Sequence, residues 1–129
     1  MILADTDVLI DYLAGSEPIH DQIAQYIKTD ALQTSAISCF ELLSGAWEGK
    51  RGDAIRRFVA TIPVISLDRG AAEAAANVRQ ELTKSGSTMG IADSLIAGIA
   101  LANALPLFTR NRKNFERVDG LELIAAKVS

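Results

Sequence analysis

One cysteine (Cys39), one histidine (His20) and one tryptophan (Trp47) are spread through 129 residues, and each scarcity excludes a chemistry. A single thiol cannot close an intrachain disulfide, which fits a reducing compartment. One histidine is too few for a histidine-rich zinc centre, and one thiol with one histidine gives a Cys–His nucleophile pair little to draw on. No Gly-rich loop followed by lysine is present, so a P-loop nucleotide hydrolase is excluded. No uninterrupted apolar run has the length of a membrane span; the small, apolar stretch Gly90–Ala102 is too short and carries Asp93. Excess positive charge is missing as well. A formal net charge of −3 argues against bulk electrostatic attraction to nucleic acid, though it leaves room for a local basic patch. Met1 runs straight into Ile2-Leu3-Ala4 without a basic, then apolar leader, so a cytoplasmic location is expected.

The remaining composition, 49% hydrophobic and 22% charged, is that of an ordinary globular chain with enough apolar residues for one core. No repeat, linker or low-complexity segment divides it, so residues 1–129 are read as one domain. Short apolar runs at Ile2–Ala4, Leu32–Ser35, Pro63–Leu67, Leu105–Thr109 and Leu121–Ile124 alternate with helical patterns. Asp7, Ser38 and Asp68 are the expected helix caps, Pro18 falls in a first helical turn, and the helix after Ser38 is expected to reach about Trp47. This alternation predicts an α/β fold with a central, mostly parallel sheet of about five short strands flanked by helices.

In such a sheet the functional groups gather beyond the carboxyl ends of the strands. Asp5 and Asp7 follow the first strand, Thr109-Arg110-Asn111 follows the fourth, and Asp93 opens the apolar helix that leads into it. Glu41 stands among Phe40, Leu42 and Leu43. Asp5, Glu41 and Asp93 are thus three acids, far apart in sequence, each expected in apolar surroundings. Clustered carboxylates raise one another's pKa unless a cation intervenes, and hard oxygen ligands suit Mg²⁺ or Mn²⁺. The helix dipole alone, worth roughly 0.3–1 kcal/mol at exposed sites, does not offset the burial of an unpaired carboxylate at Asp93. Ser38-x-x-Glu41 also reads as a capping box, a purely structural role for Glu41; beside Asp5 and Asp93 the site reading is preferred.

The run Ile2-Leu3-Ala4-Asp5-Thr6-Asp7-Val8-Leu9-Ile10, Glu41, Ile91-Ala92-Asp93-Ser94-Leu95-Ile96-Ala97, and Leu107-Phe108-Thr109-Arg110-Asn111 with Phe115 resemble the PIN-domain ribonucleases. The nearest likeness is to the VapC-type toxins of bacterial toxin–antitoxin pairs, and it covers the chain from the first strand to Gly120-Leu121. The resemblance implies a Mg²⁺- or Mn²⁺-dependent endoribonuclease with Asp5 and Asp93 as metal ligands and Glu41 completing the catalytic acids. Thr6, Asp7, Thr109 and Asn111 would support them. It also implies an RNA substrate, a cognate antitoxin protein and a homodimer. Many relatives carry a fourth acid after strand four, where this chain has Asn111, and Asn114 before the phenylalanine; one firmly held ion, with another arriving alongside the substrate, is therefore expected. Arg110, Arg112 and Lys113, with Arg117, are candidate contacts to RNA phosphates, the alternative being a solvated loop. Few aromatic residues are available for base stacking. Cys39 and Trp47 are read as core or partner-facing residues, and His20, between Glu17 and Asp21, as surface.

Two other readings compete. Asp5-x-Asp7 after an apolar strand also resembles the acid pair of haloacid dehalogenase-type phosphatases, but no lysine lies at a strand end. A non-catalytic protein-binding subunit would use the same acids structurally.

Overall fold

The computed structural model describes residues 1–126. The expected fifth strand falls inside that span, whereas residues 127–129 of the expected domain lie outside it. Five short strands, β1 (Ile2–Ala4), β2 (Leu32–Ser35), β3 (Val64–Ile65), β4 (Leu107–Thr109) and β5 (Leu123–Ala125), form one sheet in the order β3-β2-β1-β4-β5. Every neighbouring pair is parallel. The central strand β1 pairs Leu3 with Leu107 and Ala4 with Phe108 on one side, and Ile2 with Leu32 on the other. Between β1 and β4 the strand order reverses, and this switch point is where crevices form in open parallel sheets.

Helices cover both faces: α1 (Thr6–Leu13), α2 (Ile19–Lys28), α3 (Ala36–Ser44), α4 (Lys50–Val59), α5 (Arg69–Lys84), α6 (Ile91–Ala102) and the single turn α7 (Arg112–Phe115). Alternation along β1 sorts the core into two layers. Leu3 faces Ile96, Ile99, Leu107 and Phe115, packed with α5 and α6; Ile2 and Ala4 face Val8, Leu9, Ile23, Ile55 and Phe108, packed with α1, α2 and α4. Tyr26 meets Phe108 edge-on with ring centroids 5.8 Å apart, joining α2 to the sheet.

Helices α5 and α6 approach closely because side chains are missing between them. A Cβ on Gly98 would lie 2.5 Å from the Ala71 carbonyl oxygen and 2.7 Å from the Ala75 methyl. This contact holds α6, and with it Asp93, tightly against the protein body.

The structure moves two expected caps. Asp5, not Asp7, caps α1, its Oδ1 accepting from the Thr6 N–H at 2.8 Å. Ser35, not Ser38, caps α3, accepting from the Ser38 N–H at 3.0 Å, so α3 starts earlier and ends at Ser44, short of Trp47. The Ser38–Glu41 capping box is therefore not made. Asp68 caps α5 as expected, 2.9 Å from the Ala71 N–H, and Pro18 immediately precedes α2. The expected strand at Pro63–Leu67 shrinks to two residues on the sheet edge, where a proline can only begin a strand.

Candidate active site

Asp5 leaves β1 directly into α1, and capping that helix fixes its carboxylate at the switch point. Only 6% of the residue is exposed. Its Oδ2 accepts from the Thr109 hydroxyl at 2.7 Å, so the end of β4 holds one oxygen and the start of α1 the other. Thr109 in turn accepts from the Asn111 N–H at 3.0 Å. Burial, followed by the charge of Asp7 and, less strongly, of Asp93, pushes the Asp5 pKa up to about 7 against the pull of these hydrogen bonds.

Asp7 lies in the first turn of α1. Its Oδ2 accepts from the Arg110 N–H at 3.1 Å, whereas its buried Oδ1 has no hydrogen-bond partner. Burial raises its pKa as well. Asp93, in the first turn of α6, is half-buried; its pKa is raised by burial first, then by the charges of Glu41 and Asp7. Glu41 reaches the same crevice from α3. The Thr6 hydroxyl lies 2.7 Å from Glu41 Oε1 and 2.8 Å from Ser38 Oγ. With one proton, Thr6 donates to the carboxylate, which can only accept, and Ser38 donates to Thr6.

Four carboxylates from three helices therefore act on one another at one crevice, and among the described residues none of them forms an ion pair. The basic side chains nearest them are engaged elsewhere. Arg110 Nε pairs with Asp11 at 2.8 Å, and Arg117 donates to backbone and amide oxygens. Such a donor set suits a hard divalent cation: all-oxygen ligands, like charges that Arg110 and Arg117 offset only in part, and one buried carboxylate oxygen left without a partner.

The family follows from a profile match laid over this geometry. The PIN domain profile matches residues 2–121, spanning every group described above. The chain belongs to the PIN domain family. Among curated relatives, the tRNA(fMet)-specific endonuclease VapC of Shigella flexneri is 35% identical over 91 residues, covering 67% of this chain and 69% of its own. Ribonuclease VapC10 of Mycobacterium tuberculosis is 30% identical, covering 95% of this chain and 91% of its own. Among solved structures, DNA-bound VapBC from Salmonella typhimurium superposes with a TM-score of 0.82 at 26% identity, covering 97% of this chain and 98% of that one. Neither the phosphatase nor the non-catalytic reading finds support in these comparisons.

Within this PIN domain some expectations need correction. Only Asp5 of the three acids is deeply buried. Glu41 is exposed, because Phe40 (68% exposed) and Leu43 beside it face outward instead of forming an apolar wall. Asn111 contributes its backbone N–H to Thr109, and its side chain makes no capping bond to α7. Asn114 takes the place facing the acids: its Nδ2 donates to Asp93 Oδ2 at 2.5 Å. Arg117 is removed from the candidate RNA contacts because its guanidinium holds Asn114 Oδ1, the Asn114 carbonyl (3.0 Å) and the Thr88 carbonyl (2.8 Å). Arg112 and Lys113 remain exposed, with no ion pair among the described residues. Trp47 is 79% exposed, which removes it from the core. His20 stacks on Tyr12 and lies 3.4 Å from both Glu17 and Asp21, at the surface as expected. The roles of Ser38, Asn114 and Arg117 went unread because their partners are 32, 21 and 29 residues away.

Proposed function

We propose that this PIN domain is the ribonuclease toxin of a toxin–antitoxin pair, using a divalent cation held by Asp5 and Asp93. The observation that carries the metal reading is the set of four interacting carboxylates without an ion pair, one of them with an unpartnered buried oxygen. Mg²⁺, or Mn²⁺ in its place, fits the all-oxygen donor set. When bound, such an ion would neutralise charge at the phosphodiester and lower the pKa of the attacking water, easing loss of its proton. The protein supplies position. Thr109 and the α1 N-terminus fix Asp5, Thr6 orients Glu41 toward the crevice, and Asp7 is tied to the Arg110 backbone. In this reading Glu41, exposed at the crevice, takes a proton from the attacking water. Arg112 and Lys113, exposed on the same short helix as Asn114, are the contacts proposed for RNA phosphates.

The VapC relatives point to tRNA as the substrate class to try first, and the VapBC likeness to a cognate antitoxin that holds the enzyme inactive in the cytoplasm. Homodimerisation belongs to the same reading. Attack by water predicts 5′-phosphate and 3′-hydroxyl ends. The test is cleavage of a tRNA panel by antitoxin-free protein with Mg²⁺, Mn²⁺ or EDTA, beside Asp5→Asn, Glu41→Gln and Asp93→Asn. Metal-dependent cutting that falls at least about 100-fold in each folded variant is expected, in line with the loss of groups that act on the transition state. Undiminished cutting by the variants, or 2′,3′-cyclic phosphate products, would overturn the reading.

A further inference from the structure

Asp93 differs from Asp5 in how it is held. Asp5 has both oxygens bonded to β4 and α1, whereas Asp93 has one oxygen bonded, to an amide on the single-turn helix α7. That amide belongs to Asn114, and an asparagine amide can present either its oxygen or its NH₂ to a neighbour. Arg117 removes the choice. A guanidinium only donates, so the Asn114 oxygen must face it, and the NH₂ is left for Asp93, an acceptor when ionised. The reversed amide would set NH₂ against guanidinium and oxygen against carboxylate, two repulsions in place of two bonds. Arg117 is itself fixed at three points, including the Thr88 carbonyl just ahead of α6. It therefore clamps α7 to the loop that delivers Asp93.

We propose that Arg117 is a positioning residue for the metal site: by locking the Asn114 amide it ties down Asp93 Oδ2 and leaves Oδ1 as the oxygen offered to the cation. Partners of ligating carboxylates commonly govern metal affinity by roughly 10–100-fold without touching the ion. The inference rests on the ribonuclease reading's assignment of Asp5 and Asp93 as ligands. Arg117 also lines a cavity of about 560 Å³ between α5, α6 and the segment after α7, so a shorter or uncharged side chain enters without a clash.

The experiment is Mn²⁺ binding by electron paramagnetic resonance of the free ion, on full-length protein stripped with EDTA, with thermal melts to establish folding. Asn114→Ala and Arg117→Met are each expected to weaken Mn²⁺ binding by roughly 10–100-fold. The double variant is expected to be no weaker than either single by more than about twofold, because both changes remove one relay. Arg117→Lys, which keeps the charge and the stem but not the fork, is expected to behave like Arg117→Met. Wild-type affinity in folded Arg117→Met or Arg117→Lys, or losses that multiply in the double variant, would overturn the proposal. Should Asp5→Asn bind Mn²⁺ as tightly as the parent, the ligand assignment itself falls, and the proposal with it.

Discussion

Asp5 is asked to be a helix cap, a hydrogen-bond acceptor for β4 and a charge in the crevice, and its titration follows from the conflict. A carboxyl whose folded pKa lies near 7 holds a proton that the unfolded chain, near 3.8, has already released. Between those values the folded state binds more protons, so stability is highest below about pH 4 for this group and is lost as pH rises toward 7. Asp7 and Asp93 are shifted in the same direction and add to the slope. Metal-free protein is therefore expected to melt several degrees lower at pH 8 than at pH 5. Asp5→Asn should flatten that dependence, and excess Mg²⁺ should raise the melting temperature mainly at the higher pH. Melting curves in EDTA and in Mg²⁺ across pH 4–8 check this. At Asn114 the same bookkeeping predicts a gain. Asn114→Asp sets a carboxylate against Asp93, a contact that needs a cation between the two, and Mn²⁺ titration should count a second ion per chain.

Elements place these residues, and here the sequence was legible to different depths. That Asp5 and Asp93 come near each other could be read because each interrupts an apolar run of the sequence. Strand alternation with helices likewise gave the sheet, its parallel sense and five strands. The caps were misplaced by two or three residues at α1 and α3, since Asp5 and Asp7, or Ser35 and Ser38, are equally good cap residues and tertiary placement chooses between them. The Asn114–Arg117 relay was hidden for a different reason: it depends on how α7 folds back against the entry to α6. Two expectations belong to this scale. Ser35→Ala removes the α3 cap and should cost about 1 kcal/mol by chemical denaturation, with Glu41 loosened as a result. Gly98→Ala forces a methyl into the α5 backbone and should cost roughly 1–3 kcal/mol.

For the whole molecule the question is how a chain of net charge −3 approaches a polyanion. Four of its 16 acids meet in the crevice, and Arg112 and Lys113 stand exposed on α7, the helix that also carries Asn114. Recognition then rests on few phosphate contacts and should be only moderately salt-sensitive. Each contact to single-stranded RNA contributes about 0.7 to the slope of log affinity against log salt. Arg112→Ala with Lys113→Ala should therefore weaken RNA binding by an Asp5→Asn protein, which is expected not to cut, and lower that slope by about 1.4. Mn²⁺ affinity should stay unchanged, a combination that fluorescence anisotropy and metal titration distinguish from damage to the site.

The cap at Asp5 bears on how this gene can decay. Asparagine caps a helix as well as aspartate does, and the two residues' codons differ by a single transition. If the crevice is the proposed nuclease site, one nucleotide change can therefore silence it while leaving α1, the sheet and the outer surface standing. If the chain is the toxin proposed above, a copy so altered would still occupy the antitoxin, and a cell carrying both copies would lose part of its antidote to a subunit that does no harm.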